Sequence, residues 1–280
     1  MTQVPTQTIA KSGFPELGPP GLLDTMRSEW TKLKTLRSTY VILGLGVLFI
    51  VGLSALITFL IAANEASELK HGSIPSPLIT IQGAQVGWEF ALLAFMVLGV
   101  LVISGEYSSG LIGVTLLATP QRKRLLVAKV LVFAITLFVF TEVMSFVNFF
   151  VGHAIVSAYP AYPNTSLSNN GVLRVVIGMG IYVTLIGLLG LGAGALLRNA
   201  AGAIAACVGF LFILPIALSA LPDSFSNPIG EYWPTQAGMR IGLLHQDAHT
   251  LTAWWGAGDM ALFIALLLVL TGYALSKRNA

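Results

Sequence analysis

The chain has 280 residues, of which 55% are hydrophobic and only 10% charged, with a mean hydropathy of +0.83. A soluble domain carries about 25% charged residues, so an ordinary water-soluble globule, a disordered chain and a coiled coil are excluded. A single cysteine, Cys207, excludes an internal disulfide framework. The net charge of +3 is no nucleic-acid signature, because its lysines and arginines flank long apolar runs. An all-α integral membrane protein is the class that remains.

In chain order, residues 1–21 carry Pro5, Pro15, Pro19 and Pro20 without periodicity and read as a disordered cytoplasmic tail. The 38 residues before the first apolar run are too long and polar for a signal peptide. Over residues 22–38 the pattern changes. Leu22, Met26, Trp30, Leu33 and Leu36 recur at spacings of three and four, which predicts an amphipathic helix lying in the membrane interface. Trp30 would anchor it, with Lys32, Lys34 and Arg37 near lipid phosphates. A plain juxtamembrane linker is the alternative.

The transmembrane domain is residues 39–280. A helix needs roughly 20 apolar residues to cross the hydrocarbon layer, and six stretches qualify, at about 40–63, 86–104, 125–156, 175–197, 200–221 and 255–276. Only Arg198 and Asn199 separate the fourth from the fifth, which predicts a tight hairpin. Glu89 and Asp259 fall near outer span ends and read as capping or interfacial groups. With the N-terminus inside, twelve of the fifteen Lys and Arg are cytoplasmic and three (Lys70, Arg174 and Arg240) are outside. The positive-inside rule therefore places both termini in the cytoplasm.

The chemistry is notable for what is missing. There is no Gly-x-x-x-x-Gly-Lys-Ser/Thr to cradle phosphate, no His-Glu-x-x-His and no Gly-x-Ser-x-Gly. The chain is read as no enzyme, with no cofactor of its own. Gly190 and Gly194, and then Ala201, Ala205 and Gly209, are small-residue faces for helix packing. His245 and His249 stand four apart, as metal ligands on a helix would, or simply as polar residues of an outer loop. Glu142 lies mid-span, with Ser145, Asn148 and His153 further along the same helix. Two readings stay open for it: a polar lining for a substrate route, or interhelical hydrogen bonds that fix packing.

The most specific feature is the inner loop at 105–124. Leu111, Val114 and Leu117 make a short apolar face, and Thr119-Pro120 suits the start of the third span, followed by Arg122, Lys123 and Arg124. At Glu106, Tyr107, Gly110, Leu116, Leu117, Pro120 and Arg122 the sequence resembles the permease subunits of type-2 ATP-binding-cassette exporters, especially small bacterial ones. Glu29-Trp30-Thr31-Lys32-Leu33 is similar to their N-terminal interface helix. Tyr232-Trp233-Pro234-Thr235-Gln236-Ala237-Gly238 is similar to their stretch after the fifth span.

The resemblance covers about Leu22 to Arg278. It implies a six-span half-transporter of the bacterial inner membrane that dimerises with a second copy and binds a separate ATPase subunit, where ATP and Mg reside. It implies a coupling helix at about Glu106 to Thr119 and re-entrant helices within 222–256. A different class also fits, a stand-alone transporter driven by an ion gradient with Glu142 as proton carrier. A third is an intramembrane enzyme or metal sensor using His245 and His249.

The topology is directly testable. A cysteine at Ser168 is expected to react with an impermeant reagent from outside, and one at Gln121 is not. The reverse pattern would sink the assignment.

Overall fold

The structure, a computed structural model, describes residues 21–68, 79–108, 110, 122–159, 165–244 and 251–277. Most of the tail at 1–21 and most of the expected coupling helix lie outside the described residues, as do Leu117, Pro120, His245 and His249. All regular structure among the described residues is helical, and six helical stretches are long and apolar enough to cross a membrane.

Helix α1 (Leu22–Thr35) begins where the Gly21 N–H donates to the Asp24 carboxylate at 3.1 Å. This is the reciprocal half of a capping box. It ends at Leu36, whose extended backbone breaks the helix for one residue. The first span then runs through α2 (Arg37–Val47), a wider π turn at Leu48–Leu53, and α3 (Ser54–Glu68). The second span is α4 (Ile79–Ser108) and the third α5 (Arg122–Ser157). At about 1.5 Å per residue, the 36 residues of α5 extend well past a hydrocarbon core about 30 Å thick. Its basic first turn therefore projects beyond lipid.

The fourth span is α6 (Val172–Leu197). The fifth is α7 (Ala200–Val208), a π turn at Gly209–Ile213, and α8 (Leu214–Ser219). The expected hairpin forms at the two residues between them. Arg198 adopts the left-handed backbone (φ 55°) and returns its N–H to the Gly194 carbonyl at 2.9 Å, while the Asn199 side chain accepts from the Gly202 N–H. The π turn of the fifth span precedes Pro215, which has no N–H to give the preceding turn. Two short outer helices follow, α9 (Asp223–Glu231) and α10 (Pro234–Met239), with a 3-10 turn at Arg240–Gly242. The sixth span is α11 (Ala253–Lys277).

The bundle is centred on α4 and α6. The most apolar windows of these two spans are 61% and 67% buried, against 28% or less for the other four. Glycine makes this pairing possible, because apolar helices gain little from meeting each other in lipid unless their backbones approach closely. A Cβ on Gly190 would run into the Met96 carbonyl, one on Gly194 would meet Val100 and Ile103, and one on Gly99 would meet Gly187. The small face of the fourth span is thus used within the chain. That of the fifth is not: Ala201 and Ala205 are exposed, and Gly209 has open space beside it.

Gly190→Leu must force α4 and α6 apart and is expected to cost about 3 kcal/mol or more, on the scale of severe overpacking. Gly258→Leu, where nothing lies within 4 Å, should change stability little. Thermal unfolding of both variants in detergent checks the contrast.

Candidate functional site

At one end of the bundle, α1 lies along α5, with Thr25, Glu29 and Leu33 as its buried residues. Leu22, Trp30 and Leu36 of the apolar stripe are exposed, and the side of α1 that packs on the bundle is centred on a glutamate. The reason is a ring of four charges. Lys32 donates to Glu29 at 2.7 Å and to Glu106 at 2.8 Å. Lys129 donates to Glu106 at 2.9 Å and also pairs with Glu29. Both lysines share Glu106 Oε1, and each carboxylate meets both lysines. Glu29, Glu106 and Lys129 are buried, while Lys32 is half-buried.

The ring joins α1, the end of α4 and the second turn of α5. Four charges with zero net sum meet where three of them are buried, and any one of those three alone would cost several kcal/mol. Burial works against the charge of Lys32, but hydrogen bonds and attraction from Glu106 and Glu29 outweigh it, so its pKa is raised above the ordinary 10.5. Its contribution is therefore complete at neutral pH and is lost only as pH rises through that raised value.

Glu106 thus spends Oε1 on its own chain. The next residue, Tyr107, is half-buried with the Arg198 guanidinium 5.2 Å from its ring centre. Gly110 closes the turn after α4 with φ 71°, a backbone that favours glycine, and its N–H donates to the Tyr107 carbonyl. Arg122 opens α5, and its side chain lies outside the described residues. Lys34 sits 4.6 Å from the exposed ring of Trp30, and Arg37 starts α2 as an exposed residue.

Mid-membrane, Glu142 belongs to a polar seam between α5 and α6. Thr141 donates to the Gly180 carbonyl at 3.1 Å, Thr184 to the same carbonyl at 2.8 Å, and Ser145 to that of Val176 at 2.6 Å. Asn148 is buried one turn beyond Ser145. The Glu142 carboxylate rests over Gly180, where a side chain would collide with it. Its Oε1 is buried and has no hydrogen-bond partner among the described residues.

The opposite end of the bundle is held by Arg174. Its guanidinium donates to the carbonyls of Ile241 (3.1 Å), Leu243 (3.0 Å) and Leu244 (3.3 Å), and Gln85 donates to that of Gly242 at 3.0 Å. Trp233 is fixed similarly, by donating its indole N–H to the Phe210 carbonyl in the π turn at 3.3 Å and packing on the Phe210 ring. The space between Gln85, Trp88, Glu89, Tyr182 and Gly242 is only about 10 Å³, room for about one water.

Two acidic groups sit differently from expectation. The helices start earlier, at Ile79 and Ala253, so neither Glu89 nor Asp259 lies in a first turn. Asp259 Oδ2 is buried without a partner among the described residues. Sequence reasoning also passed over Glu29, Lys129 and Arg174 as members of clusters. A signal existed for Lys129, a charge one turn inside a lipid-length run, because such a charge requires a partner.

These features define an all-α protein of the multi-pass membrane type, charge-locked at one end of the bundle and clasped at the other. No protein-family model matches the chain, and no match is found among curated proteins.

The ring makes a specific demand on stability. Lys129→Met leaves two carboxylates with a single lysine and is expected to cost about 3–5 kcal/mol. Adding Glu29→Leu leaves the Lys32–Glu106 pair intact and should restore part of that loss. Unfolding midpoints of the two variants decide the matter, and strictly additive losses would contradict the ring.

Proposed function

We propose that the chain is the membrane-spanning permease subunit of an ATP-binding-cassette transporter, working as an exporter. It would pair with a second copy of itself and with a separate ATPase that binds ATP and Mg. In this reading the loop at 105–124 is the coupling element, α1 is an interfacial helix, and the protein sits in the bacterial inner membrane with both termini cytoplasmic. Exposed Leu22, Leu23, Trp30 and Leu36 on α1 are compatible with contact to lipid.

The observation that carries the reading is the charge ring. A coupling loop must transmit a push, and a push is transmitted only if the helices on either side of the loop move as one body. Lys32, Glu29, Glu106 and Lys129 tie the end of α4 to the start of α5 and to α1. Displacement of the loop would then carry the second and third spans and the interface helix together. Tyr107 stands at the entry to that loop, outside the ring, half-buried against Ile103, Leu126 and Ala195.

A second reading has one observation in its favour. The buried, unpartnered oxygen of Glu142 is what a proton carrier in an ion-driven transporter would present. Transport that persists in cells lacking partner ATPases and collapses with the proton gradient would establish it.

Tyr107→Ala tests the first reading without touching the ring. It should weaken ATPase copurification by about 2 kcal/mol, roughly thirtyfold, on the scale of an interface anchor. Substrate-stimulated hydrolysis should fall with it, while the chain still inserts and folds with a lowered unfolding midpoint, because Tyr107 packs against Ile103, Leu126 and Ala195. A variant that binds and couples like the parent would make the loop a mere connection.

A further inference from the structure

Between the inner halves of α5 and α11 the bundle leaves a groove of about 510 Å³. Its walls are apolar, formed by Leu126, Val130 and Leu131 on α5 and by Leu268, Val269 and Gly272 on α11. The volume falls within the ordinary range of pockets for small ligands. One end is different in kind. Lys123, Tyr273 and Ser276 line it, where α5 begins and α11 approaches its end. The neighbouring Lys277 places its Nζ 4.9 Å from the centre of the Tyr273 ring, bringing a second ammonium to the same end. Among the described residues no acidic side chain lines the groove.

We propose that this groove binds an anionic phospholipid of the inner leaflet, with an acyl chain between α5 and α11 and the headgroup phosphate between Lys123 and Lys277. The charge distribution selects that occupant. An apolar trough open along a lipid-facing side and basic at one end complements a molecule with one long tail and one anionic head. Basic pockets between spans on the cytoplasmic side hold such headgroups. A zwitterionic lipid would fill the trough equally well but would leave both lysines without a net counter-charge. A second copy of the chain fits worse, because a two-fold contact through this groove would set Lys123 and Lys277 against their own counterparts. The proposal uses the inward orientation of both lysines and is independent of what the protein transports.

Native mass spectrometry of the full chain, loaded with phosphatidylglycerol or phosphatidylcholine of identical chains, provides the test. The parent should retain phosphatidylglycerol roughly thirtyfold better, the scale of two lysines facing an anionic surface. Lys123→Ala with Lys277→Ala should abolish that preference with an unchanged unfolding midpoint. Val269→Trp, which fills the trough from an exposed position, should reduce retention of both lipids. Equal retention of the two lipids by the parent, or an unchanged preference in the double lysine variant, would overturn the proposal. Efficient crosslinking of two copies through Val269→Cys in a Cys207→Ala background would also overturn it, by placing a second copy in the groove. The labelling of Ser168→Cys and Gln121→Cys reports separately on orientation.

Discussion

Charge that leaves water must find opposite charge, and the inner end of this protein is arranged around that requirement. Glu29, Glu106 and Lys129 are buried, and the half-buried Lys32 completes a closed ring in which each lysine meets both carboxylates. The ring cannot be dismantled one member at a time without stranding a charge. It therefore dictates where α1 lies, which of its faces packs, and how the end of α4 stands relative to the start of α5. An apolar contact would be non-directional and would leave α1 free to roll. Four hydrogen-bonded charges set a rotation as well as a position.

The rest of the bundle follows a complementary logic. Among lipid tails, helices are brought together by close backbone approach and by polar groups with nowhere else to go. Gly99, Gly190 and Gly194 supply the first between α4 and α6, and Thr141, Ser145 and Thr184 supply the second between α5 and α6. The core pair is thereby stiff, while the first, third, fifth and sixth spans keep long apolar faces exposed to lipid or to other chains. The π turns in the first and fifth spans are the local departures from regular helix, and one of them supplies the carbonyl that anchors Trp233.

Several elements were legible from residue order alone. Six apolar runs became six span-length helices, since the unsatisfied backbone of a chain in hydrocarbon has no alternative but to fold on itself. The hairpin at Arg198 and Asn199 could be read from its shortness, and the Gly190–Gly194 face from its spacing. The packed face of α1 could not. Its apolar stripe through Leu22, Met26, Trp30 and Leu36 was the visible periodicity, yet Glu29 decides the orientation, and one of its two lysine partners, Lys129, is 100 positions away. Small residues on the fifth span, Ala201 and Ala205, carried the same spacing signal as those on the fourth and find no partner helix within the chain.

Sequence by itself determined the solvent and the number of span-length helices, and its charge bias sets an expected orientation. Those properties depend on sums over local stretches, such as the apolar length of a run or the lysines beside it, and sums need no knowledge of neighbours. Tertiary structure alone decided which charges meet, which glycines touch backbone, and where a groove with a basic end opens between α5 and α11. Each of these is a relation between residues far apart in the chain. Nothing in the local pattern around Lys129 or Gly180 specifies which residue stands opposite, because that is set by how the helices rotate when the whole bundle packs.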